Sequence, residues 1–202
     1  MKPRTKKYLY VVTALFLLVL LYALKNTSYF ARASSFIAAF VVFFIIDTIF
    51  GLKFRNRHYI IFIFIAATGI LFSPLYYIYP NYDKILHLIS PFLFCILIYY
   101  LVNKIQGISL PVKLFLTVSI VVSLLAFWEL FEFGLDKAYD LKMQGVWIRD
   151  VTGMGKINMI MDRNEDTMID MIIGTLGSIA FASGQAAGNY IKKLKNKIKN
   201  KN

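Results

Sequence analysis

The sequence predicts an all-α fold, a polytopic membrane helix bundle with about six transmembrane helices in one domain covering 1–202. Three observations predict it. The 202-residue chain is 58% hydrophobic with a mean hydropathy of +0.62, more apolar than a water-soluble domain of that size. Apolar runs close to twenty residues long recur, the length that crosses a hydrocarbon core of roughly 30 Å. Basic residues gather in alternate gaps between those runs, as they do when a chain is sorted across a bilayer.

Six runs fit spans: 8–24, 34–52, 59–79, 85–102, 112–133 and 166–190. The first follows Lys2, Arg4, Lys6 and Lys7 and has no small-x-small cleavage pattern before Lys25, so it reads as an uncleaved anchor. Asn26, Thr27 and Ser28 form a glycosylation triplet, but one that abuts the membrane. The second run carries Asp47, expected to pair with Arg55 or Arg57, and His58 beyond it reads as an ordinary surface histidine. Pro74 and Pro80 mark the end of the third run, where Tyr76, Tyr77, Tyr79 and Tyr82 suit an interfacial aromatic belt. Pro91 in the fourth run has no N–H for the His87 carbonyl, which leaves either a simple kink or a carbonyl free to join a ligand site. Cys95 is the lone cysteine, excludes an internal disulfide and reads as a buried apolar filler.

Between the fifth and sixth runs lies a segment, 134–165, too long for a simple connection. It is expected on the extracytoplasmic side as a cap, a re-entrant piece or a mobile surface loop. Within it, 162–166 imitates a calcium loop but lacks the required glycine and glutamate. Gly184 and Gly188 in the sixth run are spaced for close helix packing. The lysine-rich stretch 191–202 completes the chain as a basic cytoplasmic tail.

The formal net charge of +12 is a matter of topology rather than nucleic acid. Fifteen of the 23 Lys and Arg residues fall before the first run, after the second, after the fourth and after the sixth; eight fall on the other side. Positive charge concentrates on the cytoplasmic face, so both termini are expected inside a cell (plasma) membrane, with anionic lipid as a partner of the tail. No aromatic-rich soluble module accompanies the charge, which argues against nucleic acid. Nothing in the sequence fixes an oligomeric state.

That topology brings ionisable groups to one face. Asp83 and His87 open the fourth run, Glu129 and Glu132 close the fifth, and Asp166 and Asp170 open the sixth. Each pair is three or four residues apart, hence on one face of a helix. With only eleven carboxylates in the chain, placing five at apolar boundaries is a concentrated use of a scarce group. Such groups are costly there unless they pair, bind a cation or meet water. Capping and the helix dipole account for Asp83 and Asp166, but not for His87 or Asp170 a turn further in, and they disfavour Glu129 and Glu132 near a C-terminus.

Three arrangements remain open. One is an ion-pair cluster with Lys84, Lys137, Arg149 or Arg163. The second is a metal or proton site, and the third is unrelated capping. A divalent metal (zinc, manganese or magnesium) would draw its ligands from Asp83, His87, Asp166 and Asp170, with Glu129 and Glu132 as the catalytic carboxylates. Another choice from the same set takes His87, Glu132 and Asp170 as ligands and leaves Glu129 as general base. Without a metal, the His–acid pairs would relay protons.

The ordered pieces Asp83-Lys84-Ile85-Leu86-His87, Trp128-Glu129-Leu130-Phe131-Glu132, Gln144-Gly145 and Asp166-Thr167-Met168-Ile169-Asp170-Met171 resemble the YjdF-like family of bacterial inner-membrane proteins. The opening Asp-Lys-x-x-His is also similar, more distantly, to VanZ-like proteins. The resemblance covers about half the chain and implies a multi-span membrane protein, without assigning an activity. Three functions are therefore compatible with the sequence. They are a metal-assisted hydrolase or transferase acting on a lipid-linked or envelope precursor, a proton- or ion-coupled transporter or small-solute binder, and a non-catalytic membrane component.

Overall fold

The computed structural model describes residues 27–139, 142–149 and 157–200, and divides into two compact units, Met1–Leu75 and Tyr76–Asn202. The expected 8–24 span lies outside the described residues.

In the first unit, α1 (Thr27–Ile49) and α2 (Asn56–Ala66) are joined by a turn in which Gly51 and Lys53 both take positive φ. The turn is fastened from within. Asp47, almost fully buried, accepts the Phe54 N–H at 3.0 Å and the Tyr59 hydroxyl at 2.6 Å. Phe43 stacks on Phe62 and Phe54, with ring centroids 4.2 and 5.1 Å away. His58 is buried rather than on the surface as expected. Its Nδ1 accepts the Arg55 N–H, which closes the first turn of α2, and its Nε2 lies 3.3 Å from Arg57 Nε.

The expected 59–79 span is not one helix. α2 gives way to a π-helical turn at Ala67–Leu71 and a 3-10 turn at Ser73–Tyr77. Gly69 weakens the helix, and Pro74 cannot donate to the backbone ladder. The continuous apolar helix Asn56–Leu71 falls short of the roughly 20 residues that cross a hydrocarbon core.

The second unit is built on three helices: α3 (Tyr82–Val102), α4 (Leu110–Tyr139) and α5 (Arg163–Lys199), each packed on the other two. Cys95, Val121 and Phe181, one from each helix, form the buried apolar core. The outer faces carry exposed Ile85, Phe115, Phe127, Leu130 and Ile172, a surface that water would penalise and lipid accepts. These three helices and α1 are long and apolar enough to cross a membrane; among the described residues there are four such helices. Among the described residues the bundle is all-α apart from one antiparallel strand pair, β1 (Val146–Arg149) with β2 (Ile157–Met161).

The helices outrun the expected boundaries. α4 passes Gly134 and continues to Tyr139, bringing Asp136 onto the helix, and α5 begins at Arg163 and continues through the lysines to Lys199. The 134–165 segment is therefore shorter as a connection than expected, and it holds both strands. Asp162 caps α5, its carboxylate accepting the Asn164 and Glu165 N–H groups, so the calcium-like stretch is a helix start.

Glycine sets the helix spacing, at different positions from those the sequence suggested. Among the described residues, nothing lies within 4 Å of where a Cβ would sit on Gly184 or Gly188. At Gly177 a Cβ would stand 2.2 Å from the Leu88 carbonyl oxygen, and at Gly174 it would stand 2.3 Å from a Leu125 methyl and 3.2 Å from the His87 carbonyl oxygen. The carbonyl released by Pro91 is thus covered by the glycine face of α5.

Candidate functional site at the polar end of the bundle

The helix pattern brings the predicted groups to one place. His87 lies eight residues before Cys95 on α3, and Glu129 eight residues after Val121 on α4. At about 1.5 Å per residue, both are about 12 Å from the apolar core in the same direction. Asp166 and Asp170 open the packed face of α5, which continues through Gly174, Gly177 and Phe181. Asp166, Asp170, Glu129 and His87 are all buried, and Asp83 is partly exposed.

Lys84 is the cation of the cluster. Its ammonium donates to both oxygens of Asp170 at 2.8 Å, to Asp166 Oδ1, and to Asp83 Oδ2 at 3.2 Å. Of the cations weighed from the sequence, Lys84 holds the centre, and Arg163 Nε stands 4.0 Å from Asp136 instead. The second oxygen of Asp166 accepts the Gly145 N–H at 2.7 Å, so both of its oxygens have partners.

The other side of the cluster is less complete. His87 Nε2 lies 3.5 Å from Asp83 Oδ1. Its Nδ1 lies 3.8 Å from Glu129 Oε1 and 4.0 Å from Asp170 Oδ1, too far for hydrogen bonds. Both His87 Nδ1 and Glu129 Oε1 are buried without a hydrogen-bond partner. Unpaired buried polar atoms cost about 1–3 kcal/mol each, so two facing each other mark a place for a ligand, an ion or a water.

Asp83, His87 and Asp170 can each offer a donor atom within 4.8 Å of the others. Asp166 and Glu132 are not in that group. Both Asp166 oxygens are engaged, by Lys84 and by the Gly145 N–H; Asp170 also has both oxygens on Lys84, so a metal there would displace the ammonium from one of them, and Glu132 lies one turn beyond Glu129. The donor set of one imidazole nitrogen and carboxylate oxygens fits zinc or manganese, with Glu129 beside it as an unpaired acceptor.

Sequence reasoning missed Asp136. It is buried, and its carboxylate accepts the Met143 N–H at 2.8 Å and the Gln144 N–H at 3.0 Å. The signal was present: Glu129, Glu132 and Asp136 fall at i, i+3 and i+7, one continuous helix face. Gln144 Nε2 donates to the Thr167 hydroxyl at 3.0 Å, and Trp147 Nε1 donates to the Gln144 carbonyl at 2.9 Å. The Gln144-Gly145 piece is thereby tied to α4, to α5 and to β1.

A set of apolar helices with lipid-compatible outer faces and a buried ionisable cluster between three of them defines a multi-pass helical membrane protein. The family model described as "Predicted membrane protein (DUF2238)" matches residues 6–188, and the chain belongs to that family. No curated protein and no solved structure matches it.

Proposed function

We propose that the polar end of the α3–α4–α5 bundle binds one divalent cation and uses it for metal-assisted hydrolysis or group transfer on a lipid-linked or envelope precursor. The observation that carries this reading is the pair of buried, unpartnered atoms, His87 Nδ1 and Glu129 Oε1, facing each other beside Asp83 and Asp170. Charge supports it as well. Lys84 supplies one positive charge to a cluster holding Asp83, Glu129, Glu132, Asp166 and Asp170, and a low-dielectric site with that imbalance needs a further cation or protons. His87, Asp83 and Asp170 would hold the metal. Glu129 would accept a proton, and Lys84 with Asp166 would fix Asp170. A bound divalent ion lowers the pKa of a coordinated water and polarises a phosphoryl or carbonyl oxygen.

This reading puts the site on the extracytoplasmic side of a plasma membrane, with the lysine-rich end of α5 inside against anionic lipid. It rests for orientation on the distribution of Lys and Arg. The order of the acidic motifs supports a kinship with the YjdF-like proteins.

Elemental analysis of detergent-purified protein tests the proposal. One zinc or manganese per chain is expected, lost in His87→Ala and weakened by about 10-fold or more in Asp83→Asn. Protein that binds neither metal at micromolar concentration, by calorimetry, would overturn it. Proton uptake into proteoliposomes that depends on Glu129 would instead favour a proton-coupled carrier.

A further inference from the structure

Asp136 sits outside the group of metal-ligating candidates, yet its contacts lead into it. Both of its oxygens accept backbone N–H groups of one short turn, Met143 and Gln144. The next residue, Gly145, has φ +85°, and a Cβ there would lie 3.1 Å from the Met161 carbonyl oxygen and 3.2 Å from Trp147 Nε1. The turn is therefore held in one conformation that larger residues resist. In that conformation the Gly145 N–H points at Asp166 Oδ2, while Asp166 Oδ1 receives Lys84. The Gln144 side chain donates to Thr167, which sits beside the Glu129 carboxylate. One buried carboxylate thus sets a turn that reaches two of the three helices' acidic groups.

We infer that Asp136 is a positioning residue, acting through the Met143–Gly145 turn to hold Asp166, and through it Lys84 and Asp170, in register with His87. The inference deepens the proposed function, resting on the same cluster being the working site, but its test does not need a metal. The chain contains two histidines, so imidazole-labelled full-length protein in nanodiscs gives two side-chain signals, His58 and His87. His87→Gln assigns them.

In Asp136→Asn, the Gln144 and Gly145 amides should exchange hydrogen faster, the His87 signal should move and the His58 signal should stay. Lys84 should also react with an amine-directed reagent about 10-fold faster, the factor that corresponds to one lost hydrogen bond of about 1.4 kcal/mol. Gln144→Met removes a single side-chain bond without touching the turn's backbone, and should shift His87 by a smaller amount. Should Asp136→Asn fail to fold, Asp136→Glu, which displaces the carboxylate by one methylene, carries the test, with the same changes expected at smaller size. Restoring the carboxylate with Asp136→Glu should bring His87 part of the way back. Faster Gly145 exchange with an unmoved His87 signal and unchanged Lys84 reactivity would overturn the inference. So would an unmoved His87 in a folded Asp136→Glu if Asp136→Asn cannot be purified. A wild-type protein that binds no metal leaves all of these outcomes readable.

Discussion

Replacing Gly177 with alanine should separate α3 from α5. The added Cβ would lie 2.2 Å from the Leu88 carbonyl oxygen, whereas carbon–oxygen contacts between helices settle at about 3.3–3.6 Å. The helices must move apart by about 1 Å, because a backbone oxygen cannot rotate out of the way. Overpacking of this kind costs about 1–3 kcal/mol, and leaving glycine in a helix returns about 1 kcal/mol. With backbone as the obstacle the upper end applies, and a net loss of about 2 kcal/mol is expected. Gly174→Ala meets mainly a Leu125 methyl, which can turn, and should cost less. Gly184→Ala and Gly188→Ala meet nothing among the described residues and should be neutral or gain up to about 1 kcal/mol. Thermal unfolding of the four variants in one detergent, followed by circular dichroism, gives the ranking. A Gly177→Ala protein as stable as Gly184→Ala would refute the close approach.

Two further outcomes follow from the hydrogen bonds. Lys84→Met leaves Asp166 and Asp170 buried without their ammonium and should cost about 3–5 kcal/mol. Adding Asp170→Asn should recover part of that loss, and a double variant no more stable than the single one would show that Lys84 is not the partner that matters. In the first unit, Tyr59→Phe removes the donor to Asp47 Oδ2 and should cost about 1–3 kcal/mol in thermal unfolding. An unchanged midpoint would mean that Asp47 is held by its other contacts.

Hydropathy and helical spacing carried the helix bundle and its acidic pairs, because both are local properties of the chain. The spans that became α3, α4 and α5 were legible, and so was the meeting of Asp83, His87, Glu129, Asp166 and Asp170 at one end. Lys84 was visible only as one of four candidate cations, since choosing among them depends on the rotation of α3 against α5. That rotation is set by Gly174 and Gly177, whose spacing of three was less conspicuous than the four-residue spacing of Gly184 and Gly188. Asp136 was overlooked because Gly134 looked like a helix end. Helix packing overrode that local weakness, and the helix continued for more than a turn. The break in the expected third span was signalled by Pro74 but outweighed by its apolar composition. His58 was misplaced for a related reason: its burial depends on backbone N–H groups in the turn before α2, which no side-chain pattern announces.

One unbroken helix joins the two most highly charged regions of the second unit. α5 is 37 residues long, about 55 Å, and carries Asp166 and Asp170 near one tip and its lysines near the other. No proline interrupts it, so it transmits axial force as a strut. A pull on the basic tip would therefore be resisted at the far end, where Gly174 and Gly177 lie against the α3 backbone and the aspartates hold Lys84.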